Sequence, residues 1–296
     1  MNMLSILTPE EIERYEADGF LVLENFTNSE RIAALKAAAQ KIIDDFDMDT
    51  VSVFSTEDQR KLSSDLYFLE SGDKIRCFFE THAFDNKGKL IKDKQLAINK
   101  LGHAMHDIDP VFEAFSYVPE LCQAAIDLGF VDPIVAQSMY IFKQPNIGDK
   151  VNAHQDSIFL NTDPASCTGF WFALEDATQE NGCLWAIPGS HKTYPVTRHF
   201  RRNATGKSTE FVGEETPWDL SQAVPLEVKA GTLVILHGAC VHLSYENLSP
   251  KSRHAYAIHV VEGKDTTWRA DNWLQRSEAL PFRKMKEVSD SLPLFI

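Results

Sequence analysis

Between residues 131 and 263 the chain breaks into short segments rich in β-branched and aromatic residues, punctuated by Gly, Pro, Asn and Asp. They read "IVAQSMYIFKQP" (134–145), "HQDSIFLN" (154–161), "TGFWFALED" (168–176), "GCLWAIPGSHK" (182–192), "AVPLEVKAG" (223–231), "TLVILHG" (232–238), "CVHLSYEN" (240–247) and "RHAYAIHVVEG" (253–263). Seven or eight strands within about 130 residues predict a sandwich or jelly roll. The stretch 196–222 is polar and weak in strand signal. It is expected to form a long loop over one mouth of the barrel, bordering the entrance and more mobile than the strands.

Upstream the periodicity is helical. Thr8 is placed to cap a helix, with Pro9 in its first turn, Glu11 closing a capping box and Gly19 ending it. "FLVLENF" (20–26) predicts a short strand. Ile32, Leu35, Ala39, Ile42 and Ile43 form a helical stripe over 29–46. Residues 47–95 are mixed. The segments 99–117 and 118–129 predict two more helices, the second closed by Gly129. Neither a Gly/Ser linker nor an internal repeat divides the chain. The expected organisation is one domain over 1–296: mainly helical support (1–130), a β core (131–263) and a C-terminal extension (264–296).

Formal net charge is −14, from 29 Lys+Arg against 43 Asp+Glu. That balance excludes general nucleic-acid or anionic-membrane binding, which needs a basic footprint. A small-molecule substrate is the expected partner, and oligomeric state is left open. Cys77, Cys122, Cys167, Cys183 and Cys240 are odd in number and widely spaced, without C-x-x-C, which suits reduced thiols. The N-terminus lacks the pattern of a secretory signal, no run approaches a membrane span, and "SLPLFI" is not a peroxisomal address. A cytoplasmic location is expected.

His154-Gln155-Asp156 carries the chemistry. In a strand, residues i and i+2 share a face, with Cα atoms about 6.5 Å apart, so His154 and Asp156 can converge on one ion. Two His and one carboxylate make the facial set of non-haem iron(II). Candidates for the third ligand are His191, His237, His242, His254 and His259. His242 stands out because it lies in a predicted interior strand, with Ser244 at i+2 on the same face. Arg253 follows across an expected hairpin through "LSPK" (248–251). An interior Arg needs a carboxylate. Glu246 or Glu227 could supply it as a salt bridge, or a ligand could.

His154-x-Asp156, His242 and Arg253, in this order, resemble the phytanoyl-CoA dioxygenase family of iron(II)/2-oxoglutarate oxygenases. "NGCLWAIPGSHK" (181–192) is similar to that family's N-G-x-L-x-x-x-P-G-S-H segment. "GTLVILHGACVHLSYENLSPKSRHAYAIHVVEG" (231–263) resembles its distal half-site, and "TPEEIERYEADGFLVLENF" (8–26) its entry helix and strand.

The resemblance implies a double-stranded β-helix (jelly roll, cupin-like) with flanking helices. It implies His154, Asp156 and His242 as catalytic iron ligands, and Arg253 with Ser244 at the distal carboxylate of 2-oxoglutarate. Lys100, Met139 and Trp171 would line the cosubstrate pocket. His191 is assigned to a turn near the site. The implied reaction consumes O2 and 2-oxoglutarate, releases succinate and CO2, and hydroxylates a C–H bond, with ascorbate as reductant. Asp156 favours hydroxylation over halogenation, since halogenating relatives carry a small residue there. The substrate, which the family name suggests is acyl or acyl-CoA-like, is not readable. Arg198, Arg201, Arg202 and Lys207 are read as solvated loop charges rather than as a phosphate or carboxylate site. A zinc hydrolase and a non-catalytic 2-oxoglutarate sensor remain as alternatives.

Overall fold

The computed structural model describes residues 5–47, 52–53, 66–85 and 90–292, with 52–53 described by backbone alone. The expectations on targeting that involve the first four and last four residues, and part of the mixed region 47–95, lie outside the described residues. Among the described residues no helix is long and apolar enough to cross a membrane.

Helix α1 (Pro9–Asp18) begins as its sequence requires. Thr8 accepts from the Glu11 amide, Glu11 accepts in return from the Thr8 amide, and Gly19 closes the helix at φ 79°. Helix α2 (Ser29–Asp45) buries Leu35, Ala39 and Ile43. Helices α3 (Pro110–Ser116) and α4 (Pro119–Asp127) follow, with Pro in the first turn of each. The expected long helix over 99–117 is replaced in its first part by a strand, Ile98–His103.

The larger sheet contains β1 (Phe20–Leu23), β2 (Ser52–Val53), β3 (Ile75–Phe79), β4 (Ile98–His103), β5 (Pro133–Ile141), β8 (Thr168–Ala173), β13 (Leu233–His237) and β15 (Ala255–Glu262). Their order is β1-β13-β8-β15-β5-β4-β3-β2. The smaller sheet contains β6 (Val151–His154), β9 (Leu184–Ala186), β12 (Val224–Leu226) and β14 (His242–Ser244), in the order β12-β9-β14-β6. Two further pairs are β7 (Thr162–Asp163) with β16 (Thr267–Trp268), and β10 (Arg198–Arg202) with β11 (Thr209–Gly213). This is the expected jelly roll. The segment read as a long loop over 196–222 therefore contains a β-hairpin.

Alternation along the strands decides the two faces of the larger sheet. Phe170 and Phe172 of β8 and Tyr256 and Ile258 of β15 point to the helices, against Leu35, Ala39, Ile43, Phe112 and Phe115. Each such burial contributes about 1.5–3 kcal/mol. Trp171, Ala173, Ala255 and Ala257 point the other way, toward Leu184, Ala186 and Leu226 of the smaller sheet. Small residues on this inner face leave space between the sheets, and a cavity of about 600 Å³ fills it.

Candidate metal and cosubstrate site

His154 closes β6. Gln155 is extended, and Asp156 opens a 3₁₀ turn, Asp156–Ile158, so the expected strand over 154–161 ends at its first residue. The extended Gln155 keeps the i, i+2 relation, and His154 and Asp156 still converge. His242 lies opposite His154 across the β14/β6 pairing, with ring centroids 4.2 Å apart. His154 Nε2 and His242 Nε2 stand 3.5 and 3.7 Å from Asp156 Oδ1. One ligand atom from each of the three lies within 4.8 Å of the others, the metal-compatible group among the described residues.

The other ring nitrogens are committed. His154 Nδ1–H donates to Asn152 O at 2.8 Å and His242 Nδ1–H to Cys240 O at 3.0 Å. A carbonyl cannot donate, so both rings carry a proton on Nδ1 and turn Nε2 toward Asp156, where it can serve as a ligand atom. Burial pulls His242 down to about 4, which keeps it neutral at neutral pH. Burial alone would raise Asp156, but the neighbouring His259 and His242 more than offset it and hold the carboxyl well below its usual range. Two imidazoles and a carboxylate are the donor set that iron(II) takes.

Asp156 has its own support. His259 Nε2–H donates to Asp156 Oδ2 at 3.2 Å. The His259 Nδ1 lone pair then accepts from Gln137 Nε2 at 3.1 Å. Oδ1 is thereby left facing the two histidines. A Cβ on Gly169 would stand 3.0 Å from Asp156 Oδ2, so the strand beneath the carboxylate has to be bare. Buried Gln155, between the two sequence-adjacent ligands, donates to Tyr194 O and Ala239 O, both at 2.8 Å. It ties the His154 arm to the chain leading into His242. Sequence reasoning gave no role to Gln137, Gln155 or Gly169, and named His259 only as a possible ligand.

The pairing register shows what lies deeper. Gln137, His259 and Gly169 form one cross-strand row, and Met139, Ala257 and Trp171 the next one inward. Met139, Trp171, Lys100, Ser244 and Arg253 all line the cavity with the triad. Arg253 is 1% exposed. Its Nε donates to Gly182 O at 3.0 Å, its Nη2 lies 3.5 Å from Ser244 Oγ, and its guanidinium sits 5.2 Å from the Trp171 ring centre. Nη1 has no partner. The expected hairpin is instead a crossover, because β14 and β15 belong to different sheets. Neither Glu246 nor Glu227 pairs with Arg253, and Glu227 instead accepts from Gln179. Burial lowers Arg253 to about 10, so it stays charged at neutral pH; Glu175 acts on it only at a distance, and among the described residues no carboxylate forms an ion pair with it. A buried, forked cation with an unused N–H fits a ligand carboxylate.

The model of the phytanoyl-CoA dioxygenase (PhyH) family matches residues 15–255. The phytanoyl-CoA dioxygenase of Arabidopsis thaliana is 46% identical over 278 residues, covering 94% of this chain and 97% of that one. The chain belongs to the phytanoyl-CoA dioxygenase family. Phytanoyl-CoA dioxygenase domain-containing protein 1 of Rattus norvegicus is 43% identical over 287 residues, 94% of this chain and 98% of that one. Among solved structures, the carbocyclase SnoK from nogalamycin biosynthesis superposes with a TM-score of 0.62 at 17% identity, covering 95% and 99% of the two chains. EctD from S. alaskensis, solved with 2-oxoglutarate and 5-hydroxyectoine, gives 0.59 at 18% identity, covering 88% and 78%. Both likenesses concern the fold.

In this phytanoyl-CoA dioxygenase family member the N-G-x-L and P-G-S-H segments act as scaffold. Gly182, at φ 82°, turns its carbonyl to both Arg253 Nε and Ser244 Oγ, and a Cβ there would come within 2.7 Å of Tyr245 O. Ser190 Oγ accepts from the Val241 amide at 2.8 Å, beside His242. His191 donates to Glu16 O at 3.0 Å on α1, in agreement with a turn role. His237 accepts from the Ala239 amide and His254 meets the Tyr140 hydroxyl, so both have partners other than the triad.

Hairpin β10/β11 borders the cavity through Arg198, Phe200 and Phe211, as expected of the segment that contains it. Its cations are mostly answered. Arg198 meets Glu215 at 3.3 Å, and Arg201 meets Glu210 and Asp271 at 3.0 and 3.1 Å. Arg202 donates to Trp273 O and Leu69 O, and Lys207 is exposed at the turn. The signal for the hairpin was "NATG" between two short aromatic-bearing runs.

Proposed function

We propose that this protein is an iron(II)- and 2-oxoglutarate-dependent dioxygenase that hydroxylates a small molecule, releasing succinate and CO2. The observation that carries the reading is the alignment of two features in one cavity. His154 Nε2, Asp156 Oδ1 and His242 Nε2 converge at one level, and the Arg253 guanidinium, with Nη1 unpartnered, lies at another. In this reading His154, Asp156 and His242 hold the metal. Arg253, with Ser244, takes the distal carboxylate of 2-oxoglutarate, while Lys100, Met139 and Trp171 line its sides. The metal, when bound, supplies the redox chemistry that uses O2 and 2-oxoglutarate, with ascorbate restoring its ferrous state.

The chain's own residues orient and exclude. His259 and Gln137 fix the Asp156 carboxylate, the Nδ1–H bonds fix both rings, and the apolar walls keep bulk water from the reacting carbon. A succinate-release assay with iron(II), ascorbate and 2-oxoglutarate across a metabolite panel tests the reading. Turnover should require 2-oxoglutarate and O2 together. Hydrolysis of a panel compound with zinc and without O2 would sink it in favour of the hydrolase alternative.

A further inference from the structure

The cavity has a second half, on the far side of the triad from Arg253. Its walls include Phe68, Phe159, Phe200, Phe211 and Trp273. Two buried acceptors on this cavity's lining have no partner: His103 Nε2 and Gln137 Oε1. The state of His103 follows from its neighbours. Ser71 Oγ donates its single hydrogen to Phe68 O at 2.6 Å, so the 2.7 Å contact between Ser71 Oγ and His103 Nδ1 has the imidazole as donor. Nε2 then bears a lone pair. Burial, with Lys100, His259 and Arg276 nearby, holds His103 well below its ordinary value and neutral. Gln137 Nε2 is spent on His259, which frees Oε1. The indole N–H of Trp273, whose ring centre lies 5.0 Å from that of His103, is likewise unpartnered.

Resting on the reading above, we propose that this half is the subsite for an uncharged hydrogen-bond donor, a hydroxyl or amide N–H, carried on a flat apolar body. The donor is read by His103 Nε2 and Gln137 Oε1, with Trp273 Nε1–H available to the donor's own oxygen. Leaving two acceptors buried and unpaired is unfavourable unless a ligand answers them. The same two lone pairs repel a carboxylate or phosphate. At the mouth, Arg198 is already engaged by Glu215, and Arg201 further along the same strand by Glu210 and Asp271, which leaves little cationic surface there for the phosphates of an acyl-CoA. The aromatic walls offer edges and faces to a planar apolar ligand.

The test is equilibrium binding without turnover, by ligand-observed NMR titration. The protein is loaded with zinc(II) and the 2-oxoglutarate analogue N-oxalylglycine. Four probes are compared: 2-naphthol, its methyl ether, 2-naphthoate and hexanoyl-CoA. The parent should bind 2-naphthol about tenfold or more tightly than the ether, since the ether leaves both acceptors unpaired. His103→Leu should erase that preference and His103→Gln, which retains an acceptor, should keep part of it. N-oxalylglycine affinity and melting temperature should be unchanged in both. Equal binding of naphthol and ether by the parent overturns the proposal, as do absent naphthol binding, preference for naphthoate or hexanoyl-CoA, and a preference that survives His103→Leu. The parental ranking decides the matter even if a variant fails to fold. N-oxalylglycine binding is measured first, and the probe ranking is repeated on metal-free protein. Failure of the cosubstrate assignment is thereby seen separately from failure of the subsite.

Discussion

The two halves of the cavity are built differently. The inner half, from the triad to Arg253, rests largely on paired strands: Met139, Ala257 and Trp171 form one row, and Gln137, His259 and Gly169 the row above. Its polar atoms are largely fixed by backbone carbonyls or by each other. The outer half takes His103 and Gln137 from the sheet, but its aromatic wall is assembled from remote pieces: Phe68 on the short helix Leu66–Leu69, Phe159 after the 3₁₀ turn, Phe200 and Phe211 on the hairpin, and Trp273 beyond the last strand. Strand rows hold atoms to a geometry that metal and dianion chemistry demand. A wall made of separate segments can change without disturbing that geometry, which suits the part of an enzyme that selects its substrate.

The sharpest division is expected at the triad. Asp156→Ala should abolish 2-oxoglutarate turnover while the metal-free fold survives, checked by succinate release and circular dichroism. An active Asp156→Ala enzyme would remove the basis for separating the halves at this level. His259→Ala should act on the same carboxylate at one remove. Removing such an orienting partner typically costs 10–100-fold in metal affinity, and a competitive chelator titration reads it. Unchanged affinity would show that the His259–Asp156 contact orients nothing.

Arg253 marks the far end of the inner half. A charge-assisted pair lost there costs about 2 kcal/mol, roughly 30-fold in apparent KM for 2-oxoglutarate. Arg253→Lys should lie between the parent and Arg253→Ala. Because no carboxylate among the described residues forms an ion pair with Arg253, Arg253→Met should leave the melting temperature of ligand-free protein unchanged or raised. A large fall in melting temperature with unchanged KM would mean that the residue is structural.

Legibility follows the same division. Helix α1 was readable because its cap, Pro and closing Gly are local. His154-x-Asp156 was readable because a period of two survives even where the strand stops at His154. Strand β4 was not. Leu101, Met105, Phe112 and Phe115 fall at helical spacing, and pairing with β3 and β5 overrides that pattern over Ile98–His103. With β4 misread, the place of His103 on the cavity wall could not be seen. Gln137 and His259 look like ordinary strand residues, and only the register brings them onto Asp156. The outer aromatic wall joins residues far apart in sequence, and no local period records such contacts.

Titration should also separate the halves. Burial draws both Lys100 and Lys143 from 10.5 down to about 7, with Arg253 adding to the effect on Lys143. Above pH 7 the folded chain has released these protons while the unfolded chain still binds them. Stability of the ligand-free protein should therefore rise from pH 7 to 8.5, since the unfolded state is the more protonated. Affinity for the 2-oxoglutarate dianion should fall over the same window, by at most about tenfold per pH unit for one linked proton. Melting curves and N-oxalylglycine titrations on one pH series would read the opposed trends. If both move in the same direction, the lysines do not face the dianion. Binding of 2-naphthol should change least, because the probe is uncharged in this window and Lys100, although near His103, has no ligand charge to answer there.

The smallest effect belongs to the rim. Arg198 and Glu215 are 3.3 Å apart, with the Glu215 side chain 67% exposed, so water screens the pair. Such exposed pairs contribute about 0–1 kcal/mol. Glu215→Gln should therefore leave the melting temperature within about 2 °C and the KM for 2-oxoglutarate within about twofold, given the usual relation between such energies and Tm. Its informative consequence lies elsewhere. Removing the carboxylate frees Arg198 beside Phe200 and Phe211, which adds an uncompensated cation to the mouth. Weak binding of 2-naphthoate should then improve relative to the parent, more at low salt than at high, because the gain is a screened surface interaction. Binding of 2-naphthol should not change. If Glu215→Gln instead weakened 2-oxoglutarate as strongly as Arg253→Ala does, the dianion would be held partly from the mouth, and the two halves would be a single electrostatic unit.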